Sequence, residues 1–473
     1  AGGFTAYAGN AFVQDSAISI SNTWADVDND GNIDLLVVNN TRKSNTFYKN
    51  NNGVFTKDIT PPFVQNVSYY HGAAFADYDN DGKVDLFLSN FFPTKYNELY
   101  RSNGATSFAK DASNTVSVEA NQSIGATWAD YDGDGFLDLF VPNGQGYKNS
   151  LFHNEGNGTF KKSTSIISNE GGQSVGSCWG DYDNDGDLDL LVTNSNSQGS
   201  FLYKNNGNWS FTKVTNTVVT TDKAPSHGCS FADIDNDGDL DIFITNDKGK
   251  KFLYMNDGKG NFTAKTDEVV NFNFGNSFGH VWSDFDHDGD LDLYVATHSN
   301  QPNCLFTNNG NSNKWIEIKL TGTNSNKSAI GAKVCVKANG VWQMREVNAQ
   351  SGFGGQNSLT QHFGLSSATT VDSIKVKWSN GNVQYLTNVP VAQIVNITEA
   401  ISVKVTGAVF NDANNNCTKD AGEDLIGRAV VNVVGKENAK AYSNNNGLFT
   451  TNLSAGNCQV NIENTRGLST ACV

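Results

Sequence analysis

The chain has 473 residues, too many for one compact core, and its formal net charge of −16 argues against nucleic acid and anionic membranes as partners. Charged residues make up only 17%, beside 46 glycines, 7 prolines and 2 methionines, a composition that favours strands and tight turns over helices. No window keeps an apolar period of 3.6 residues and no apolar run reaches the length of a membrane span, so the reading is all-β without direct membrane insertion.

The start, Ala1-Gly2-Gly3, is compatible with a mature end left by signal cleavage. A nine-residue pattern, Asp-x-Asp-x-Asp-Gly-x-x-Asp, then begins at Asp26, Asp77, Asp130, Asp181, Asp233 and Asp284, at intervals of 51, 53, 51, 52 and 51 residues. Each copy lies between strand-like runs. In the third, Ile124–Ala129 enters the loop, Leu137–Val141 leaves it, Ser150–Asn154 forms a third strand and a fourth lies around Phe160. Four short strands per repeat of this length describe a propeller blade, so residues 1–313 read as a β-propeller of six repeats with six or seven blades. The aromatic two residues before each loop (Trp24, Phe75, Trp128, Trp179, Phe231, Trp282) is expected to pack between blades. The sixth repeat has no clear fourth strand before Trp315. Either Gly3–Tyr7 supplies it, closing six blades, or part of the following stretch builds a seventh.

The loops have the chemistry of calcium sites. Carboxylates at positions 1, 3, 5 and 9 converge, Gly at position 6 permits a sharp turn, and position 7 varies freely, as a backbone-carbonyl ligand allows. The expected ligand sets, with the position-7 residue fourth in each, are Asp26, Asp28, Asp30, Asn32 and Asp34; then Asp77, Asp79, Asp81, Lys83 and Asp85; then Asp130, Asp132, Asp134, Phe136 and Asp138. The remaining three are Asp181, Asp183, Asp185, Asp187 and Asp189; Asp233, Asp235, Asp237, Asp239 and Asp241; and Asp284, Asp286, Asp288, Asp290 and Asp292. Four carboxylates around one point repel unless a cation sits among them, and hard oxygens of this number suit calcium better than zinc or copper. Six calcium ions would reduce the charge of −16 to about −4, and a seventh to about −2. Six equivalent copies make a catalytic role poor, so these are read as structural clips.

These repeats resemble the FG-GAP/VCBS repeats of integrin-type propellers over about residues 1–312, a scaffold that serves adhesion, glycan binding and some enzymes. From Lys314 the repeat stops, and strand-like segments follow at Trp315–Leu320, Lys333–Lys337, Met344–Val347 and Ser373–Trp378. The runs Ser328–Val334, Arg345–Val347, Gly352-Phe353, Gln356–Ser358 and His362–Leu365 resemble the ASPIC/UnbV module, read over residues 314–400. That family usually has Trp-Pro-Ser-Gly where this chain has Trp378-Ser379-Asn380-Gly381. The stretch 401–473 is read as an incomplete β-sandwich, because Val409–Glu423 resembles the B-type repeats of bacterial surface adhesins. Asp412, Asn414, Asn416, Thr418, Asp420 and Glu423 fall at EF-hand spacing there and are expected to hold a seventh calcium, although Cys417 stands where Gly is usual.

Seven cysteines show no CxxC spacing. Cys417 and Cys458 are placed to pair, whereas Cys178 and Cys229, offset by one residue relative to their loops, are expected on opposite strand faces. The residues six before each loop (Ile20, His71, Ile124, Val175, His227, Phe278) should lie near the channel, where His71, His227 and nearby His280 are candidate ligand residues. Tyr69, Tyr70, Phe91, Phe92 and Tyr147 either stack on sugars or cover the sheet ends. No catalytic triad or phosphate loop stands out. The functional expectation is a secreted or cell-surface, bacterial, non-enzymatic binding protein for glycan or protein ligands. The alternatives are a polysaccharide-active enzyme with its site at the channel mouth, and a subunit of an extracellular surface assembly or part of a longer chain.

Overall fold

The computed structural model describes residues 17–40, 43–92, 94–266, 268, 270, 275–299, 301–400, 402–411, 420, 422–426, 430–434, 438–443, 446, 448–454 and 459–462. Residues 1–398 form one compact unit and 399–473 a second.

Six successive antiparallel sheets make up most of the first unit. Blade 1 contains β1 (Ser19–Ala25), β2 (Asp34–Asn39), β3 (Thr46–Asn51) and β4 (Val54–Asp58). Blade 2 contains β5 (Tyr70–Ala76), β6 (Asp85–Asn90), β7 (Glu98–Gly104) and β8 (Ser107–Lys110), and blade 3 contains β9 (Thr127–Ala129), β10 (Asp138–Val141), β11 (Ser150–Asn154) and β12 (Phe160–Lys162). Blade 4 is β13 (Ser174–Gly180), β14 (Asp189–Asn194), β15 (Phe201–Asn205) and β16 (Phe211–Val214), and blade 5 is β17 (Ser226–Ala232), β18 (Asp241–Asn246), β19 (Phe252–Met255) and β20 (Thr263–Lys265). Blade 6 has three strands among the described residues, β21 (Ser277–Ser283), β22 (Asp292–Thr297) and β23 (Cys304–Phe306). The second strands are covered on both faces and read as apolar runs; β6 is buried throughout. Outer strands such as β4 are mostly exposed.

Adjacent sheets pack through aromatics. Tyr78 of blade 2 stacks on Trp128 of blade 3 (ring centroids 6.2 Å), Tyr131 on Trp179 (6.0 Å) and Tyr182 on Phe231 (6.3 Å). The residue at loop position 2 thus covers the aromatic that precedes the next loop. The same face-to-face packing places Cys178 and Cys229, which are both free, as expected. Opposite faces of neighbouring sheets look at each other, so the two thiols meet in the core between blades 4 and 5, and neither is in a disulfide.

The stretch 314–398 forms two further sheets, with strands β24 (Lys314–Thr321), β25 (Lys333–Ala338), β26 (Val341–Glu346), β27 (Gln361–Ser366), β28 (Thr370–Lys377), β29 (Val383–Pro390) and β30 (Ile394–Thr398). Their orders are β27-β24-β30 and β26-β25-β28-β29, around a core that includes fully buried Trp378. Between β26 and β27 the chain leaves this core and enters the ring. Gly352 N donates to the Ser177 carbonyl (2.9 Å), and Phe353 packs with Ile124 and Val175 and touches the rings of His227 and Phe278. The amide of Gln356 bonds both N (2.7 Å) and O (2.9 Å) of Trp24 in blade 1. Asn357 Oδ1 accepts from Trp282 N (3.1 Å), and Ser358 N donates to the Trp282 carbonyl (3.2 Å) in blade 6. This segment therefore bridges blades 6 and 1. Among the described residues the ring has six such sheets; Gly3–Tyr7 lies outside the described residues.

The second unit pairs β31 (Ser402–Ala408) with β34 (Leu448–Ser454), and β32 (Val430–Val434) with β33 (Asn438–Tyr442) and β35 (Gln459–Ile462). Its small core holds Val409, Val431, Val433, Ala441 and Phe449.

Close approach of the inserted segment to the ring requires glycine. Gly352 has φ +64°, and a Cβ there would lie 2.5 Å from the Cys229 carbonyl oxygen. Gly352→Val is expected to destabilise the first unit by about 2–4 kcal/mol in denaturant titration. Gly381→Ala, at φ +86° but in open space, should lose only about 1 kcal/mol. Equal small losses at both positions would mean that the segment does not fill the channel.

Candidate metal centres

Each loop is the hairpin connection between the first and second strands of its blade, and the position-9 aspartate is the first residue of the second strand. That carboxylate ties three segments together. In five loops its Oδ2 accepts from the position-2 backbone N, as in Asp34 with Val27 (3.0 Å) and Asp189 with Tyr182 (3.2 Å). Its Oδ1 accepts from a backbone N at the end of the third strand: Asn50, Ser102, Asn154, Asn205, Asn256 or Asn308, at 2.7–2.9 Å. The position-1 carboxylate accepts from the position-6 glycine N, 2.7 Å in the first loop. Those glycines have φ between +84° and +102°, so the expected need for Gly at position 6 is met by the backbone. As a result one oxygen each from positions 1, 3 and 9 lies within 4.8 Å of the others in the sets Asp26/Asp28/Asp34, Asp77/Asp79/Asp85 and Asp181/Asp183/Asp189. In the third loop the corresponding groupings are Asp130/Asp132/Asp134 and Asp132/Asp138/His153. The position-5 aspartates turn one oxygen to the position-7 backbone N, as in Asp30 with Asn32 (2.8 Å) and Asp134 with Phe136 (2.8 Å).

Burial pushes these carboxyls upward: Asp26 to about 6, Asp34, Asp77 and Asp181 to about 7, Asp138 to about 8 and Asp189 to about 9, with neighbouring aspartates adding to it. Asp85 and Asp241 are raised well above the usual range by the same burial. Asp77 Oδ1, Asp183 Oδ1, Asp233 Oδ1 and Asp235 Oδ1 are buried without a hydrogen-bond partner. Side chains relieve part of the charge. Lys49 pairs with Asp28, Arg101 with Asp79 (2.5 Å) and Lys204 with Asp183.

Three sets of residues around the loops escaped the sequence reading. The asparagine closing the third strand also donates Nδ2 to two carbonyls: Asn205 to Leu188 of its own loop (3.1 Å) and Tyr131 of the preceding one (2.8 Å), with Asn154, Asn256 and Asn308 doing likewise. Its recurrence near the twenty-fourth residue of each repeat was the available signal. Asn29, Asn80 and Asn236 at loop position 4 adopt left-handed φ of +55 to +59° and donate to the position-6 carbonyl of the next loop. The third set comes from residues 314–398 and has no repeat to announce it. Ser328 Oγ accepts from Asp26 N (2.8 Å), Asn326 Nδ2 donates to Asp77 Oδ2 (3.4 Å), and Gly364 N donates to Asp233 Oδ2 (2.8 Å). Half-buried Arg345 lies within electrostatic reach of Asp181 and Asp233.

The candidate histidines are enclosed rather than gathered. His71 stacks on Phe91 (4.3 Å), with Nε2 3.1 Å from Asn40 Nδ2. His227 lies against Phe278 and Phe353, and His280 contacts Ser230 Oγ (2.6 Å). Burial lowers His71 and His227 to about 4 and His280 to about 3. Tyr70 is fully buried and donates to Glu98 (2.7 Å). Of the expected seventh calcium set, Asp412, Asn414, Asn416 and Thr418 lie outside the described residues; Asp420 N donates to Glu423 Oε2 (2.9 Å).

The fold and its loops define a propeller-like all-β protein with C-terminal β modules. Residues 26–88, 143–192, 181–244 and 233–295 match the FG-GAP-like repeat family, and residues 322–404 match the ASPIC and UnbV family. The chain thus carries FG-GAP-like repeats followed by an ASPIC/UnbV domain. It is 28% identical over 266 residues to cartilage acidic protein 1 of Mus musculus and 27% over 266 residues to that of Homo sapiens, matching 52% of this chain. The chain spans about two fifths of the length of these relatives. They are vertebrate proteins and give no support to a bacterial source. Among solved structures, an Agrocybe aegerita lectin, described for its recognition of non-reducing terminal N-acetylglucosamine, aligns with a TM-score of 0.43 at 19% identity, covering 62% of this chain and 81% of its own. No described helix is long and apolar enough to cross a membrane.

Two outcomes are expected from this geometry. Asn205→Ala leaves two buried carbonyls unpaired and should destabilise the first unit by about 2–3 kcal/mol, read by chemical denaturation. The raised carboxyls favour the protonated form in the folded state. Their contribution is therefore complete below the ordinary carboxylate pKa of about 4 and is lost as the pH rises through the folded values, about 6 for Asp26 to about 9 for Asp189. In chelator, Tm should fall as the pH is raised across that window, and a saturating dication should abolish the fall. A chelated protein whose Tm is flat across the window would contradict this account.

Proposed function

We propose that this chain is an extracellular binding module, held together by calcium in its six Asp loops, that recognises a glycan or protein ligand. The observation that carries the calcium reading is the pair of buried carboxylate oxygens without partners, Asp77 Oδ1 and Asp183 Oδ1, each within a converging group of aspartates. Uncompensated buried carboxylates are strongly unfavourable, and hard oxygen donors on a tight Gly-containing turn suit calcium. At ten times its dissociation constant each ion would stabilise the fold by about 1.4 kcal/mol. Extracellular modules commonly bind calcium with a dissociation constant of about 10⁻⁴–10⁻³ M, and such weak sites need an environment rich in calcium.

The binding reading draws on the similarity to cartilage acidic protein 1 and on what each end of the ring offers. The Asp-loop end receives Ser328, Asn326, Lys333 and Gly364 from the ASPIC/UnbV domain. The other end exposes Phe92, Tyr96 and Tyr147, with Tyr69 stacked on Phe92 at 5.1 Å. Flat aromatic faces there suit the apolar face of a sugar ring or a protein side chain.

Calcium should raise Tm cooperatively and excess EDTA should lower it; a melt insensitive to both after prolonged chelation would sink the calcium reading. On a broad glycan array with calcium, the chain should bind a defined glycan class. Replacing Phe92 and Tyr147 together by alanine should weaken that binding about tenfold or more, a loss of about 1.4 kcal/mol. Binding that survives the double replacement would remove this end of the ring as the ligand surface.

A further inference from the structure

The third loop departs from its neighbours in the groups that surround its carboxylates. Its position-1 carboxylate is engaged by a lysine from the ASPIC/UnbV domain: Lys333 Nζ lies 3.0 Å from Asp130 Oδ2 and donates to the Asp130 carbonyl (2.7 Å). In loops 1, 2 and 4 the pairing cation sits instead on the position-3 carboxylate. Next, the third-strand side chain beside the position-3 carboxylate is a fixed cation in loops 1, 2 and 4, namely Lys49, Arg101 and Lys204. In blade 3 it is His153, which can offer a lone pair. Its Nδ1 stands 3.1 Å from Asp132 Oδ2 and 3.1 Å from Asp138 Oδ1, and the three residues bring their donor atoms within 4.8 Å of one another. Finally, Asp138 Oδ2 is buried without a partner, whereas in the other five loops that oxygen accepts from the position-2 backbone N. Asp138 is 1% exposed and His153 6%, with the Trp209 ring over the imidazole at 3.9 Å.

We propose that the third loop is a mixed nitrogen–oxygen site for a zinc-class divalent metal, with His153, Asp132 and Asp138 as its ligands, distinct from the calcium sites of the other loops. Imidazole suits zinc, cobalt and nickel and is a poor partner for calcium, which selects oxygen. Tetrahedral coordination with bonds of about 2.0–2.1 Å places ligand atoms about 3.3 Å apart, close to the 3.1 Å seen from Nδ1 to each carboxylate. Three protein ligands leave a fourth position for water or a ligand group. The inference would replace calcium in one of the six loops; its failure leaves the calcium reading of all six in place.

The test is a cobalt(II) titration of the full chain, stripped with chelator and returned to saturating calcium, followed by its visible d–d absorption. One equivalent of cobalt should bind and be displaced by zinc but not by further calcium. His153→Gln should weaken cobalt binding at least tenfold while leaving the calcium-dependent rise in Tm in place. His153→Lys, which installs the residue type of Lys49 and Lys204, should abolish it. No cobalt uptake by folded wild-type chain, or uptake unchanged in both variants, overturns the proposal. Should a variant fail to melt cooperatively, zinc K-edge absorption of the wild type decides, and a spectrum without an imidazole ligand overturns it equally. Loss of calcium stabilisation with cobalt binding intact would count against the calcium reading alone.

Discussion

The interaction on which the ring depends is the carboxylate at the base of each hairpin. Asp34, Asp85, Asp138, Asp189, Asp241 and Asp292 begin the second strands; each bonds a backbone N–H at the end of its third strand, and all but Asp138 bond a loop N–H as well. The neighbouring asparagine extends the connection to the preceding loop, so blades 2 to 6 are linked in sequence at this end. Six such anchors concentrate negative charge in a buried zone. Burial and mutual repulsion both favour protonation there, which a folded protein at neutral pH avoids only by bringing cations to the same place.

Cations reach the loops from two directions. Lys49, Arg101 and Lys204 come from the third strands and are half-exposed. Lys333 and Arg345 come from the ASPIC/UnbV domain and lie half-buried, against Asp130 and near Asp181 and Asp233 respectively. The domain therefore acts as a charged cap as well as a wedge: the strands that carry Lys333 and Arg345 lead directly to the segment that bears Phe353 into the channel. Electrostatic compensation and ring closure are supplied by one short stretch of chain, Lys333 to Ser358.

The repeat made the fold legible. Six loops at nearly constant spacing announced six blades, and the strands read at Ser150–Asn154 and Lys333–Lys337 coincide with β11 and β25 to within a residue. The positive φ at every position-6 glycine follows from the turn chemistry alone. What escaped the reading lies where no periodicity operates. The offset of Cys178 and Cys229 was legible, but their meeting between blades depends on the stacking of whole sheets. The path of Phe353, the bridging role of Gln356 and the placement of Lys333 depend on a domain that occurs once, so no internal comparison reveals them. The asparagines at loop position 4 and at the end of the third strand did recur, but carboxylates dominate such a motif and amides beside them read as ordinary turn residues.

A ring of six similar blades capped by a single domain cannot keep six equivalent sites. The cap meets Asp26 through a serine hydroxyl, Asp77 through an asparagine amide, Asp130 through a lysine and Asp233 through a backbone N–H. Each contact alters the charge and the free lone pairs of the loop it touches. Repeats whose strands are interchangeable for packing thus become distinct in chemistry, and the distinction is sharpest in blade 3, where the lysine of the cap and the imidazole of the third strand meet one set of aspartates. Symmetry secures the scaffold, and its breaking by one asymmetric partner is what gives individual loops separate tasks.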